Sequence, residues 1–222
     1  MKLFKVAIFI LTVFTSINCT SKNKKEKEIV HEVESAAIVD LQKYETAYFA
    51  SGCFWCVEAI FESVSGVKEV ISGYSGGTEK NPTYEQVGRG LSTHAESVEV
   101  YYNPKVISFK TLVDVFYGSH NPTTVNGQGP DRGPQYRSIA FYKNDTEKKI
   151  IEDKISQLKM DKTYGSPIAT QVVPFTKFYD AEDYHQDYEK RHPNNPYIIN
   201  VSIPRLQKFQ KKFPMLLKKE AH

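Results

Sequence analysis

Along the chain the apolar positions change period several times, and each change marks an element. Residues 46–50 form a short apolar run stopped by Ser51-Gly52, the pattern of a buried strand. Directly after it, Phe54, Val57, Ile60, Phe61 and Val64 recur at helical spacing as far as Gly66. Residues 67–74 return to a strand pattern and run into a Gly76-Gly77 turn, and 97–102 alternate (SVEVYY) until Asn103-Pro104 ends them. Ser108 is placed to cap a helix with Leu112, Val113 and Phe116 on one face. Residues 138–142 and 169–175 read as further strands, 146–160 as a helix of alternating charge, and 180–191 as a charged helical patch. Between them lies HNPTTVNGQGPDRGPQY (120–136), a loop long enough to suggest function. Strands follow one another by short links as often as they alternate with helices. The expected fold is therefore α+β, a two-layer sandwich of a mixed sheet with helices packed on it.

The first residues are of another kind. MKLFKVAIFILTVFTSINC has a basic start at Lys2 and Lys5, an apolar run from Val6 to Phe14, and a small and polar close, the layout of a secretory signal. The apolar run is too short to cross a bilayer comfortably. Residues 20–34 are polar and charged, as a tether would be. The expected organisation is a signal peptide over 1–18, a charged tether over 19–43, a catalytic domain over 44–200 and a helical tail over 201–222. The tail (LQKFQKKFPMLLKK) is expected to pack on the domain rather than to anchor in a membrane.

Composition changes this little: 40% hydrophobic and 25% charged residues are an ordinary globular balance, with a net charge of +3. No basic cluster is interleaved with aromatics, so nucleic acid is not an expected partner. Two of the three cysteines, Cys53 and Cys56, share the stretch SGCFWCVE with the only tryptophan. They have no other partner in the folded part, a disulfide between them would close almost no loop, and no second Cys or His pair completes a metal site. Redox chemistry is the reading left, and no metal ligands are expected. A thiol at a helix start is stabilised as thiolate by the helix dipole. That makes Cys53 the nucleophile, with Cys56 one turn later able to attack it once oxidised.

GCFWCVEAIFESVSGV, GYSGGTEKNPTYEQVGRGLSTHAESVEVYYNP, HNPTTVNGQGPDRGPQYRSIAFY and AEDYHQDY, in that order, resemble the methionine sulfoxide reductase A family over about residues 44–197. The resemblance implies a ferredoxin-like core and reduction of methionine-S-sulfoxide, in proteins and free. It places the nucleophile on Cys53, the acid on Glu96 and oxygen-binding hydroxyls on Tyr84 and Tyr136. Asp131 falls on a further polar group of the site. Phe54 and Trp55 become an apolar cup for the sulfoxide's methyl, and His94 and His185 read as structural. The acid must be protonated to act, so burial should raise its pKa. The cycle implied is a Cys53 sulfenic acid, a Cys53–Cys56 disulfide, and recycling by a thioredoxin-like dithiol with no bound cofactor. Many members of that family carry glycine where this chain has Cys56 and place resolving cysteines near the C-terminus; none follows Cys56 here. The resolving role of Cys56 thus comes from this chain's own residues. SINC also resembles the bacterial lipoprotein signal, with Asn18 where a small residue is usual. That implies lipidation of Cys19 and an exported, membrane-anchored enzyme facing the periplasm or cell exterior, expected to be a monomer. The competing readings are a thiol–disulfide oxidoreductase using the CxxC pair and a tethered module that binds ligands in the aromatic cup.

Overall fold

A computed structural model describes residues 41–219. The signal segment, Cys19 and most of the tether lie outside the described residues. In chain order the elements are β1 (Glu45–Ser51), α1 (Phe54–Glu62), β2 (Val67–Ser75), α2 (Tyr84–Gly88), β3 (Ala95–Tyr102) and α3 (Phe109–Ser119). There follow β4 (Gly127–Gln128), β5 (Asp131–Arg132), β6 (Ser138–Tyr142), α4 (Asp145–Met160), β7 (Gln171–Pro174), β8 (Phe178–Asp180), α5 (Tyr188–Arg191) and α6 (Ile203–Lys212). The main sheet has the order β7-β6-β1-β3-β2-β8, antiparallel except for the β6–β7 pair. Its central order β6-β1-β3-β2, with α1 and α3 as the crossovers, is the ferredoxin-like arrangement.

β1 is apolar from Ala47 to Ala50 because both of its faces are covered there. Ala47 and Phe49 belong to the core shared with the helices, while Tyr48 and Ala50 belong to a second cluster with Ile139, Phe141, Phe175 and Phe178. Phe49 stacks on Phe61 of α1 at 5.2 Å between ring centroids and on Phe116 of α3 at 5.1 Å. Each aromatic so buried contributes about 1.5–3 kcal/mol by removal from water. The Ser108 cap is present, its hydroxyl accepting from the Thr111 amide at 3.1 Å.

Several boundaries differ from the pattern reading. α1 ends at Glu62 rather than running to Gly66, which takes a positive φ of 89° and turns the chain into β2. α2 was not expected, although Thr83 and Gln86 form the reciprocal side-chain cap that starts it. The 180–191 patch is not one helix but a short strand, a 3-10 turn over Asp183–His185 and the single turn of α5. The 120–136 loop contains the hairpin β4–β5, closed by Gln128 opposite Asp131. α6 packs on the domain through buried Phe209, and a π-helical stretch, Ile198–Ser202, leads directly into it, so a division after residue 200 falls inside one helical run.

Candidate active site

The site begins where β1 hands over to α1. Gly52 makes the turn with φ 93°, and a Cβ there would sit 2.7 Å from Cβ of Gln128. Only glycine accepts both the conformation and the approach of the β4 hairpin. Cys53 then occupies the cap position of α1, buried, and its neighbour Cys56 is buried one turn on. Both are free thiols.

β3 brings Glu96 under the same turn. Its Oε2 accepts from the Phe54 backbone N–H at 3.0 Å, so the carboxyl caps the helix that carries Cys53. Glu96 is almost fully buried, and burial pushes its pKa up to about 8; the Phe54 bond opposes this, and the Asp131 charge adds to it. The group is therefore an acid at neutral pH, as the sequence reading required.

The two thiols titrate against each other, and here the structure departs from expectation. Burial raises the Cys53 pKa well above the ordinary thiol range, and the neighbouring Cys56 and the Glu96 carboxyl act in the same direction. Cys56 is instead lowered to about 6, chiefly by the hydrogen bond from Cys53, against its own burial and with help from the Arg205 charge. Desolvation outweighs the helix dipole at Cys53, because the dipole is worth at most about 2 kcal/mol and the thiol is out of water. Burial thus works against a thiolate at Cys53, while the Arg205 charge favours one at Cys56.

Around the thiols stand aromatic groups from separate segments of the chain. Phe54 has 0% exposure, tilts against Tyr74 and His185 and stacks on Tyr84. Trp55 is partly exposed and stacks on Tyr188 at 3.8 Å. Trp55 is thus the more exposed of the two rings, and Phe54 lies buried beside it at 6.3 Å between centroids. The indole N–H donates to Nδ1 of His185 at 3.1 Å, which fixes the imidazole with its proton on Nε2, buried and without a hydrogen-bond partner. Tyr84 is held by Glu182, which accepts from its amide at 3.0 Å and from the Tyr74 hydroxyl at 2.9 Å. Tyr136 sits in the turn before β6, where Arg137 ties the chain to the Gly76 and Thr93 carbonyls at 3.1 and 2.9 Å. Burial first, then the Glu96 and Cys53 charges, raise both phenols far above their ordinary pKa, so both remain neutral donors.

Asp131 faces the same space from β5. Its Oδ2 accepts from the Tyr197 hydroxyl at 2.7 Å, and that hydroxyl lies 3.8 Å from Cys56 Sγ. Tyr197, Ser202 and Arg205 were all missed in the sequence, where they fall at the edge of the domain or in its tail. Arg205 donates from α6 to the Ser119 and Ser51 carbonyls, each at 2.8 Å. His185, read as structural, touches Phe54, Trp55 and Tyr84 directly. His94 does hold a loop, accepting from the Gly77 amide at 3.2 Å and meeting the Glu79 carbonyl at 2.9 Å. Glu58, Glu62 and Asp187 converge behind α1, but Lys190 pairs with two of them and the Asp187 amide donates to the third.

Known proteins give the same picture. The family model for peptide methionine sulfoxide reductase matches residues 45–216. The peptide methionine sulfoxide reductase MsrA of Polynucleobacter asymbioticus is 44% identical over 178 residues, 80% of this chain and 94% of that one. MsrA 1 of Rhodopirellula baltica is 47% identical over 169 residues, 76% of this chain and 87% of its own. Among solved structures, reduced Mxr1 from Saccharomyces cerevisiae superposes with a TM-score of 0.65 at 36% identity, covering 69% of this chain and 88% of that one. On these matches and on a site that joins buried thiols to a buried acid, the chain belongs to the peptide methionine sulfoxide reductase family and is an oxidoreductase that reduces methionine sulfoxide.

Proposed function

We propose that Cys53 attacks the sulfoxide sulfur while Glu96 protonates its oxygen. The observation that carries this is Glu96 itself, buried, protonated at neutral pH and bonded to the amide next to Cys53. Cys53 passes its proton to the Cys56 thiolate as it attacks, which overcomes the cost of forming a buried thiolate there. The Glu96 proton goes to the oxygen, with the Tyr84 and Tyr136 hydroxyls as donors to it. Methionine leaves, Cys53 is a sulfenic acid and Cys56 a thiol. Trp55 holds the methyl group over its open face, with Phe54 behind it. The substrate is the S epimer, free or in oxidised proteins; the family's peptide activity supports the second.

Cys56 then condenses with the sulfenic acid to a Cys53–Cys56 disulfide, and a thioredoxin-like protein dithiol restores both thiols. No described residue other than these two is a cysteine, in keeping with a resolving partner one turn away. Sulfoxide reduction needs an acid for the departing oxygen, a requirement that disulfide exchange does not have. In Cys56→Ser one equivalent of methionine should still form per enzyme, while turnover with a thioredoxin-type donor falls at least tenfold. Unchanged multiple turnover would remove Cys56 from the cycle.

The N-terminal pattern supports export and lipidation of Cys19, which places the enzyme on a membrane facing the periplasm or cell exterior. Mass spectrometry of the mature N-terminus tests this: an acylated Cys19 is expected, and an unmodified one refutes the anchor.

A further inference from the structure

We infer that Tyr197 and Asp131 form a proton relay that deprotonates Cys56 in the disulfide-forming step. This rests on the reading of Cys56 as the resolving residue and adds how that residue is made reactive. In the cycle proposed above Cys56 takes up the Cys53 proton, and the neighbouring Cys53 is the largest influence favouring its ionised form before that step. Once Cys53 has given up its proton and become a sulfenic acid, that influence is gone and Cys56 is a buried thiol. It then needs a base, because the thiolate is the attacking species.

The geometry supplies one. The Tyr197 hydroxyl lies 3.8 Å from Cys56 Sγ and donates its own proton to Asp131 Oδ2 at 2.7 Å. With that proton committed to Asp131, the phenol oxygen is an acceptor toward the thiol. The chain S–H to O–H to carboxylate is therefore aligned for transfer in one direction. Burial raises the Tyr197 pKa far above its usual value, so it passes a proton without resting as a phenolate. Burial also raises the Asp131 pKa, which makes it a stronger base than a surface carboxylate. The titratable groups facing this chain are Glu96 and Cys53 on one side, and the cations facing it are Arg205 and Arg132 on the other. Both arginines favour the ionised forms of what they face, so Arg205 also favours the Cys56 thiolate.

The step balances. The Cys56 proton moves to Tyr197 as the Tyr197 proton moves to Asp131; the Cys56 sulfur pair forms the S–S bond and the Cys53 S–O bond breaks. The departing hydroxide takes the proton of Glu96, reprotonated from solvent after the first step, and leaves as water. Asp131 returns its proton to solvent. Cys56 is oxidised and the sulfenic sulfur reduced to the disulfide level.

Tyr197→Phe keeps the ring and removes the relay. After mixing with one equivalent of methionine sulfoxide, rapid quench gives the rate of methionine formation, and the disulfide-forming step should be slowed far more than that one. Loss of the sulfenic acid, followed by dimedone capture, should slow at least tenfold and become proportional to hydroxide concentration across pH 6–9, which a packing defect would not produce. Equal slowing of both steps would make Tyr197 a substrate-pocket hydroxyl and overturn the relay. So would an unchanged rate and pH profile of disulfide formation. Failure of the wild-type protein to form the Cys53–Cys56 disulfide in peptide maps would instead refute the resolving role of Cys56.

Discussion

Glu96 is the residue whose environment decides most. A carboxylic acid with its pKa near 8 is present as the acid below that pH and is lost above it. The rate of the first methionine formed should therefore fall as pH rises through about 8. Glu96→Gln keeps the shape and the bond to the Phe54 amide but cannot give a proton. A drop of about a hundredfold to a thousandfold in single-turnover rate is expected, with no limb near pH 8. The same shift acts on folding: the folded chain keeps a proton that the unfolded chain releases above its ordinary value of 4.5. This contribution to stability is complete below pH 4.5 and disappears as pH climbs through about 8, so Glu96→Gln should gain stability relative to wild type in alkali, measured by urea unfolding at pH 5 and 9. His185 is the second such residue. Its Nδ1 orients the chain's only tryptophan, whose emission is therefore a direct report of the contact. His185→Leu should blue-shift that emission and raise KM roughly fivefold, the effect of about 1 kcal/mol for one hydrogen bond, with kcat less affected. His185→Asn, which keeps an acceptor near the same place, should restore both.

Among the elements, the β1–α1 junction carries the chemistry and the β4–β5 hairpin presses on it. Gly52 is where they meet: its φ of 93° and the 2.7 Å approach of Gln128 leave no room for a methyl group. Gly52→Ala should cost about 1–3 kcal/mol in urea unfolding. Because Cys53 is the next residue, its alkylation rate should change in the same variant, whereas a substitution at Gly165, with open space around it, should alter neither. The hairpin was hidden in a run of glycine, proline and polar residues because its two-residue strands have no periodicity to detect. The segment 180–191 misled for the opposite reason. Its charges suggested a helix face, but the Glu182 carboxylate accepts from α2 and β2, the Asp187 backbone N–H donates to Glu58 of α1, and the Gln186 amide group bonds to the Ser72 N–H at 2.9 Å and carbonyl at 3.0 Å.

For the molecule as a whole, the C-terminal segment is part of the catalytic domain. Phe209 is buried in the main core, and Arg205 reaches the backbone on either side of the thiols. Phe209→Ala should lose about 3–5 kcal/mol of stability in thermal or urea unfolding. The loss should appear in one transition with the rest of the domain; a separate early transition would show that the tail folds by itself. The family match, running to residue 216, agrees with a single unit over this range.

The βαββαβ order and the position of CFWC at a helix start were legible in the sequence, and the family resemblance pointed to Glu96 as an acid. These depend on local period, on glycine and on motifs that keep their order along the chain. Folding was needed to bury Cys53 and Cys56 together and to bring Tyr197, His185 and Arg205 around them. Tyr197 and Cys56 are 141 positions apart, and a lone tyrosine among fourteen has no pattern around it to mark what it will touch. Proton affinities follow from burial and from neighbours brought in by folding, and at Cys53 the desolvation of a closed site outweighed the helix dipole that the sequence could show.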